Sequence, residues 1–291
     1  MIIGVTGGSG FIGIHLVKRL LAEGYKVKTL TLRGDVQLPK SVKVIKGDLV
    51  KKENLSKFLK DVDVLVHLAA KITPPDDLLI ETNVMSTFNL IAGSLNYPIK
   101  HIIFSSSVVV YGRGKKEKFK EVDECFPNTT YGLSKYLSEK IILYWGNLTG
   151  NPTTIFRPFN VYGPGNYKGI IYSFISDIKN KGKVFIHGDG KQERDFLFVE
   201  DFIDVIVKAI KMKKKGIFNL GNSQKYTILD VLKLFKIIMA KNIKVIFDKG
   251  EEGKVFNTNQ NLFSVKRVFG WEAKTSFEQG LRKTLDWYEK K

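Results

Sequence analysis

The chain has 291 residues, 43% of them hydrophobic, and 47 Lys and Arg against 29 Asp and Glu, for a formal charge of +18. That length suits one large or two modest domains with a substantial core, and the ordinary hydrophobic content places the chain among soluble globular proteins. The first strand starts at Ile2 with no room for a leader, no apolar run approaches the roughly 18 residues of a membrane span, and the single Cys125 can form no internal disulfide, so a cytoplasmic protein is expected.

The first stretch, Ile2-Ile3-Gly4-Val5-Thr6-Gly7-Gly8-Ser9-Gly10-Phe11-Ile12-Gly13, is a short apolar run that stops at clustered glycines and restarts with helical spacing at Ile14, Val17, Leu20 and Leu21. It reads as strand, tight turn and helix, the opening of a βαβ unit. If a pyrophosphate lies across the turn, Gly7 makes the turn, Gly10 lets backbone approach phosphate, and Gly13 lets the helix pack closely on the strand. The helix N-terminus then offers free N–H groups and the positive end of its dipole.

A second strand, Val27 to Leu32, places Thr31 where an NAD site has a carboxylate, with Arg33 just beyond. That favours NADP, but Asp35 lies close, so the cofactor is read as NAD or NADP. A third strand, Val42 to Lys46, ends at Gly47-Asp48-Leu49, where Asp48 can accept from an adenine amino group or cap a helix from about Lys52. A fourth strand, Val62 to Leu68, runs into Ala69-Ala70, small residues against which a flat cofactor can lie. A loop with Pro74-Pro75 and a helix from about Asn83 to Leu95 follow, and a fifth strand, His101 to Phe104, delivers Ser105-Ser106-Ser107 to the same sheet edge.

A helix opening at Asn128 to Lys135 and running to about Trp145 puts Tyr131 and Lys135 four apart, on one face. A phenol with a reference pKa near 10 is a poor base at neutral pH, and a nearby ammonium favours the phenolate. A serine hydroxyl from the strand edge can bond the same substrate oxygen. Ser107, Tyr131 and Lys135 form a coherent set for moving a proton on and off a carbinol while a nicotinamide takes the hydride.

With these residues go His67-Leu68-Ala69-Ala70, Ser105 through Gly112, Arg157-Pro158-Phe159-Asn160-Val161-Tyr162-Gly163-Pro164-Gly165 and Arg194-Asp195-Phe196-Leu197-Phe198-Val199-Glu200-Asp201, in one order from residue 2 to about 210. In this the chain resembles an extended short-chain dehydrogenase/reductase of the nucleotide-sugar epimerase and dehydratase group. The resemblance implies a Rossmann-type doubly wound parallel sheet with a smaller C-terminal α/β substrate lobe. It makes Tyr131 the catalytic tyrosine, Lys135 the residue that holds the nicotinamide ribose and lowers the tyrosine pKa, and Ser107 the hydroxyl partner. It lays the cofactor along Gly7, Gly10, Phe11, Ile12, Gly13, Thr31, Arg33, Asp48, Leu49, Leu68, Ala69, Ala70, Asn83, Ser105, Tyr131, Lys135 and Pro158, with Asn83 opening its helix or simply capping it. Asn160 and Arg194 would face a substrate diphosphate.

The 4,6-dehydratases of this group carry an Asp-Glu pair, and the sugar-acid decarboxylases a glutamate, just after the serine position, where this chain has Val108 and Val109. What remains is oxidation at one sugar carbon and hydride return to the opposite face, an epimerisation most often at C4. The alternatives are an NADPH-dependent reductase of a keto-sugar or other small carbonyl compound, suggested by Thr31 and Arg33, and a cofactor-responsive binding protein, suggested by the positive charge.

The expected dinucleotide domain covers 1–165, with 198–221 returning to it, and the substrate lobe covers 166–197 and 222–291. Lobe and returning elements are a helix Ile170 to Asn180, a strand Val184 to Gly190, a helix Glu200 to Lys211, a strand Ile217 to Leu220, a helix Ile228 to Ala240, a strand Ile243 to Phe247 and two closing helices. Glu251-Glu252-Gly253-Lys254 stands where UDP-sugar enzymes often have an arginine and an acid, which leaves phosphate capture there and base identity open. Lysines are spread along the chain with short runs at Lys115-Lys116 and Lys213-Lys214-Lys215, so a solvated surface explains the charge better than a nucleic-acid partner. His15, His67, His101 and His187 are scattered and suggest no metal. The partners expected are a nucleotide sugar and, by the resemblance, a second copy of the chain; no membrane contact is expected.

Overall fold

The computed structural model describes residues 1–32, 38–73, 75–112, 118–248 and 261–291. The first half of the chain runs β1 (Ile2–Thr6), α1 (Phe11–Ala22), β2 (Lys26–Thr31), β3 (Lys43–Lys46), α2 (Leu55–Leu59), β4 (Val64–His67), α3 (Asp76–Ile80), α4 (Ser86–Ser94), β5 (His101–Ser105) and α5 (Thr130–Thr149). The second half runs β6 (Thr153–Pro158), β7 (Asn160–Tyr162), α6 (Gly169–Lys181), β8 (Lys183–His187), β9 (Glu193–Phe198), α7 (Val199–Met212), β10 (Gly216–Leu220), β11 (Lys225–Thr227), α8 (Ile228–Met239), β12 (Lys244–Asp248), α9 (Phe263–Phe269) and α10 (Phe277–Glu289).

Seven strands form one parallel sheet in the order β10-β6-β5-β4-β1-β2-β3. Strands such as Val64–His67 and His101–Ser105 are buried throughout, as near-continuous apolar runs in a parallel sheet must be when helices cover both faces. One face packs α1, α7 and α9 through Leu16, Phe202 and Phe269, and the other packs α2, α4 and α5 through Phe58, Leu90 and Trp145. The chain builds β1 to β3 in one direction and then returns to place β4 beside β1. The reversal opens a crevice at the carboxyl ends of β1 and β4, where ligands of such sheets bind.

The remaining strands form a three-stranded sheet, β11-β9-β7, and a parallel pair, β12-β8. With α6, α8 and α10 they enclose a separate core around Phe174, Phe196, Phe235 and Phe277. Val199–Met212 and Gly216–Leu220 return to the large sheet. Val265, Phe269 and Trp271, although they follow residue 222, pack with α1 and α7 rather than in the lobe core. No helix among the described residues is long and apolar enough to cross a membrane.

Three local expectations are corrected. The first helix starts at Phe11, not Ile14, so the glycine loop itself supplies the N-cap, Gly10. No helix begins at Lys52: α2 starts after Asn54, and the Asp48 carboxylate accepts from the Val50 N–H at 2.8 Å in a local turn. The helical run before β5 starts at Asp76, where Asp76 and Asp77 suit the positive end of the dipole, and Asn83 lies inside it in a widened turn, Glu81–Met85.

Candidate active site

A cleft of about 1530 Å³ runs along the carboxyl edge of the large sheet and between it and the lobe. Its floor at one end is the glycine loop. Gly7 has a φ of +72°, and a Cβ there would lie 2.8 Å from the Ala69 nitrogen, so only glycine lets the turn close on the end of β4. A Cβ on Gly10 would meet only the Gly7 oxygen, at 3.2 Å, and otherwise points to open space. The first turn of α1 has neither a side-chain cap nor an acidic residue, and Phe11, Ile12 and Gly13 line the cleft. Their N–H groups leave this end able to cradle a diphosphate.

Leu68, Ala70, Ser105, Ser107, Tyr131, Pro158, Asn160 and Arg194 line the same cleft. The structure thus brings together the glycine loop, the serine edge and the tyrosine. Ser107 caps a short turn, Val108–Tyr111, its Oγ accepting from the Val109 N–H at 3.4 Å, and Val108 and Val109 face the cleft beside it. Tyr131 stands in the first turn of α5, which Thr129 caps through the Gly132 N–H at 3.0 Å. Asn160 donates from Nδ2 to the Asp195 carbonyl at 3.1 Å, which holds β7 beside β9 at the lobe side.

A ladder of small polar groups fixes α5. Asn83 accepts the Lys71 N–H at 2.7 Å and donates to the Lys71 carbonyl and the Ser134 hydroxyl, both at 2.9 Å. Thr87 donates to the Asn83 carbonyl, and the Ser138 hydroxyl reaches the Ser134 carbonyl. His67 sits between the Thr6 hydroxyl at 2.6 Å and that of Thr87 at 3.0 Å, and burial pushes its pKa down to about 3, so the ring is neutral.

The electrostatics differ from the sequence expectation. Burial pushes the Tyr131 phenol up to about 12, with no charge opposing the shift. Lys135 is 3% exposed, its Nζ 4.6 Å from the centre of the Phe104 ring, and burial pushes its ammonium down to about 7, opposed by the Glu139 carboxylate. The lysine expected to relieve the phenol is itself strained by burial.

The model of the NAD dependent epimerase/dehydratase family matches residues 3–221. The chain belongs to that family. A UDP-N-acetyl-alpha-D-glucosaminuronate decarboxylase of Bacillus cytotoxicus is 30% identical over 98% of this chain and 96% of its own length. The solved structure of a UDP-glucose 4-epimerase with UDP-glucose from Thermotoga maritima superposes with a TM-score of 0.93 at 27% identity, over 100% of this chain and 99% of that one. A UDP-glucuronic acid 4-epimerase from Bacillus cereus in complex with UDP-glucuronic acid and NAD gives 0.89 at 26% identity, over 100% and 99%.

Within this family member several expected cofactor residues stand apart from the cleft. Thr31 is 4% exposed, Leu49 is 8% exposed in the core, and Asn83, 2% exposed, braces the Lys71 loop and α5; with Asp48, Ala69 and Lys135, none of them lines the cleft. Arg33, Asp35, Pro74, Lys115-Lys116 and the segment Glu251 to Lys254 lie outside the described residues. The cleft also has residues that sequence reasoning did not assign: Asp76, which accepts from the Thr130 hydroxyl at 2.8 Å, and Lys168, His187 and Gln192 on the lobe side. His187 carried a signal, since it ends the apolar strand Val184-Phe185-Ile186.

Proposed function

We propose that this chain is an NAD-dependent epimerase of a nucleotide-activated sugar, acting at C4. The observation that carries the reading is the convergence of Ser107, Tyr131 and the glycine cradle on one cleft whose serine edge is flanked by Val108 and Val109 instead of acids. Elimination of water needs a further acid and base beside the sugar, and two valines supply neither. NAD rather than NADP is favoured by the family and by the NAD in the Bacillus cereus relative; the cationic alternative rests on Arg33, since Thr31 is buried.

In this reading the first turn of α1 would hold the cofactor diphosphate, and Pro158 and Ser105, which line the same cleft, would contact the cofactor. Bound there, NAD supplies a hydride acceptor and, on return, a hydride donor. Tyr131 accepts the C4 hydroxyl proton, Ser107 bonds the same oxygen, and Lys135 supplies the positive charge that favours the phenolate. Asn160 and Arg194 hold the substrate diphosphate at the lobe, so the sugar can turn over before Tyr131 returns the proton to the other epimer. A cytoplasmic setting is expected, and a pair of chains is supported by exposed apolar residues along α4 and α5, Phe88, Leu137 and Leu148 among them. Incubation with UDP-glucose, UDP-galactose and their N-acetyl and uronate analogues tests the reading. C4 interconversion of one of these pairs is expected, and net consumption of added NADPH with ketones would replace it with a reductase.

A further inference from the structure

Below Tyr131 and Lys135 on α5, the next residue at the same helical spacing is Glu139, and it is 1% exposed. Its Oε1 accepts from the Ser106 hydroxyl at 2.5 Å and from Arg157 Nε at 2.9 Å, while Oε2 accepts from Arg157 Nη2 at 2.6 Å. Arg157 Nη1 donates in turn to the Tyr111 hydroxyl at 2.8 Å, and that hydroxyl donates to Asn219 Oδ1 at 2.9 Å. Ser106 lies between the cleft residues Ser105 and Ser107, and Arg157 immediately precedes the cleft residue Pro158. One carboxylate therefore ties the carboxyl ends of β5 and β6 to the helix that carries the tyrosine.

A buried ion pair by itself is weak evidence for anything beyond architecture, since apolar residues often replace such pairs without loss. The charge arrangement around Lys135 goes further. The groups facing it are the neutral His67 from β4, the Phe104 ring from β5 and Glu139 from its own helix; Arg157, Tyr111, Cys125 and Lys140 lie around Glu139. Glu139 supplies the negative charge that opposes the cost of burying the ammonium.

We propose that Glu139 is a positioning residue for proton transfer at Tyr131: it holds the Ser106–Ser107 edge against α5 by hydrogen bonding and sets a negative charge one helical turn beyond Lys135. This rests on the reading of Ser107, Tyr131 and Lys135 as the reacting set. Removing that carboxylate makes the buried Lys135 ammonium lose its proton at lower pH, whereas removing a bystander in the architecture leaves it unmoved.

The test uses the full chain with Glu139→Gln, the double variant Glu139→Gln/Arg157→Gln, and Ser106→Ala. Glu139→Gln alone leaves the buried Arg157 without its counter-charge and can fail to fold; the double variant removes both charges and leaves two amides that can bond each other. For each, kcat and KM are measured across pH, and the Lys135 ammonium is titrated by nuclear magnetic resonance of carbon-labelled lysine against the same background carrying Lys135→Met. The double variant is expected to fold, to lose about 10- to 100-fold in kcat with KM little changed, and to show the ammonium titration and the pH–rate profile at lower pH. Ser106→Ala is expected to lose about fivefold in kcat, the size of one hydrogen bond, with no pH shift. A double variant with the parent's kcat and titration, or one whose kcat falls with neither pH curve moving, would overturn the proposal. The ammonium titration needs no substrate, so it reads the proposal even if no nucleotide sugar is turned over.

Discussion

Gly13 lies so close under Gly7 that a methyl group on it would stand 2.1 Å from the Gly7 carbonyl oxygen, whereas one on Gly10 would stand 3.2 Å from that same atom with nothing else near. The two glycines therefore serve different ends, packing and ligand approach. Gly13→Ala should lower stability by about 1–3 kcal/mol through overpacking of α1 on its strand. Gly10→Ala should leave the melting temperature nearly unchanged and weaken NAD binding about tenfold or more, roughly 1.4 kcal/mol. Thermal melts with and without NAD, beside a direct binding titration, separate them. Equal loss of stability in both variants would contradict this division.

Asn83 makes three hydrogen bonds that join the Lys71 loop to Ser134 on α5. Asn83→Ala should cost about 1–3 kcal/mol, because it strands buried backbone groups of Lys71 and the Ser134 hydroxyl. Chemical denaturation measures that loss. An Asn83→Ala protein with native stability and a weakened cofactor would instead place the residue on the ligand.

His67 should make the fold acid-labile. Its pKa lies near 3 when folded against 6.5 for a free ring, so its contribution is fully present above 6.5 and is lost as pH falls from there toward 3. The slope for one such group is at most about 1.4 kcal/mol per pH unit. In His67→Gln, stability measured from pH 7 down to pH 4 should fall less steeply than in the parent chain. Parallel curves would mean that the ring keeps its proton when buried.

Arg157 and Glu139 face each other with side chains 3% and 1% exposed. Arg157→Met alone should cost about 3–5 kcal/mol, since it leaves a buried carboxylate unpaired. Replacing both residues by apolar ones should recover most of that stability, and a double-mutant denaturation cycle measures the coupling. Additive losses would show that the two charges act independently.

Much of this was legible in the sequence because local signals agreed. The apolar runs, the glycines after β1 and the spacing of Tyr131 and Lys135 each fix neighbours within a few residues, and the structure places Tyr131 and the glycine loop in one cleft. Other features depend on contacts distant in sequence. Asn83 bonds Ser134, 51 residues away, and that contact decides its role more than its place in a helix does. Thr31 and Asp48 stand at strand ends as expected, but the burial of Thr31 in β2 and the local turn closed by the Asp48 carboxylate are contacts that position in the sequence does not show. Burial alone sets the direction of the shifts at Tyr131 and Lys135, and no spacing rule contains it. Glu139 drew no notice in the sequence, because its partner Arg157 comes from a strand beyond the helix.

The most direct measurement is the fate of hydride and sugar in one vessel: the purified chain with NAD and each candidate nucleotide sugar, followed by nuclear magnetic resonance for inversion at C4, beside Tyr131→Phe. The account predicts interconversion of one C4 pair with no net change in NAD, and a loss of about 10²–10⁴-fold in rate for Tyr131→Phe with cofactor binding intact. Release of carbon dioxide or water from the sugar in place of C4 inversion, or full activity in Tyr131→Phe, would contradict it.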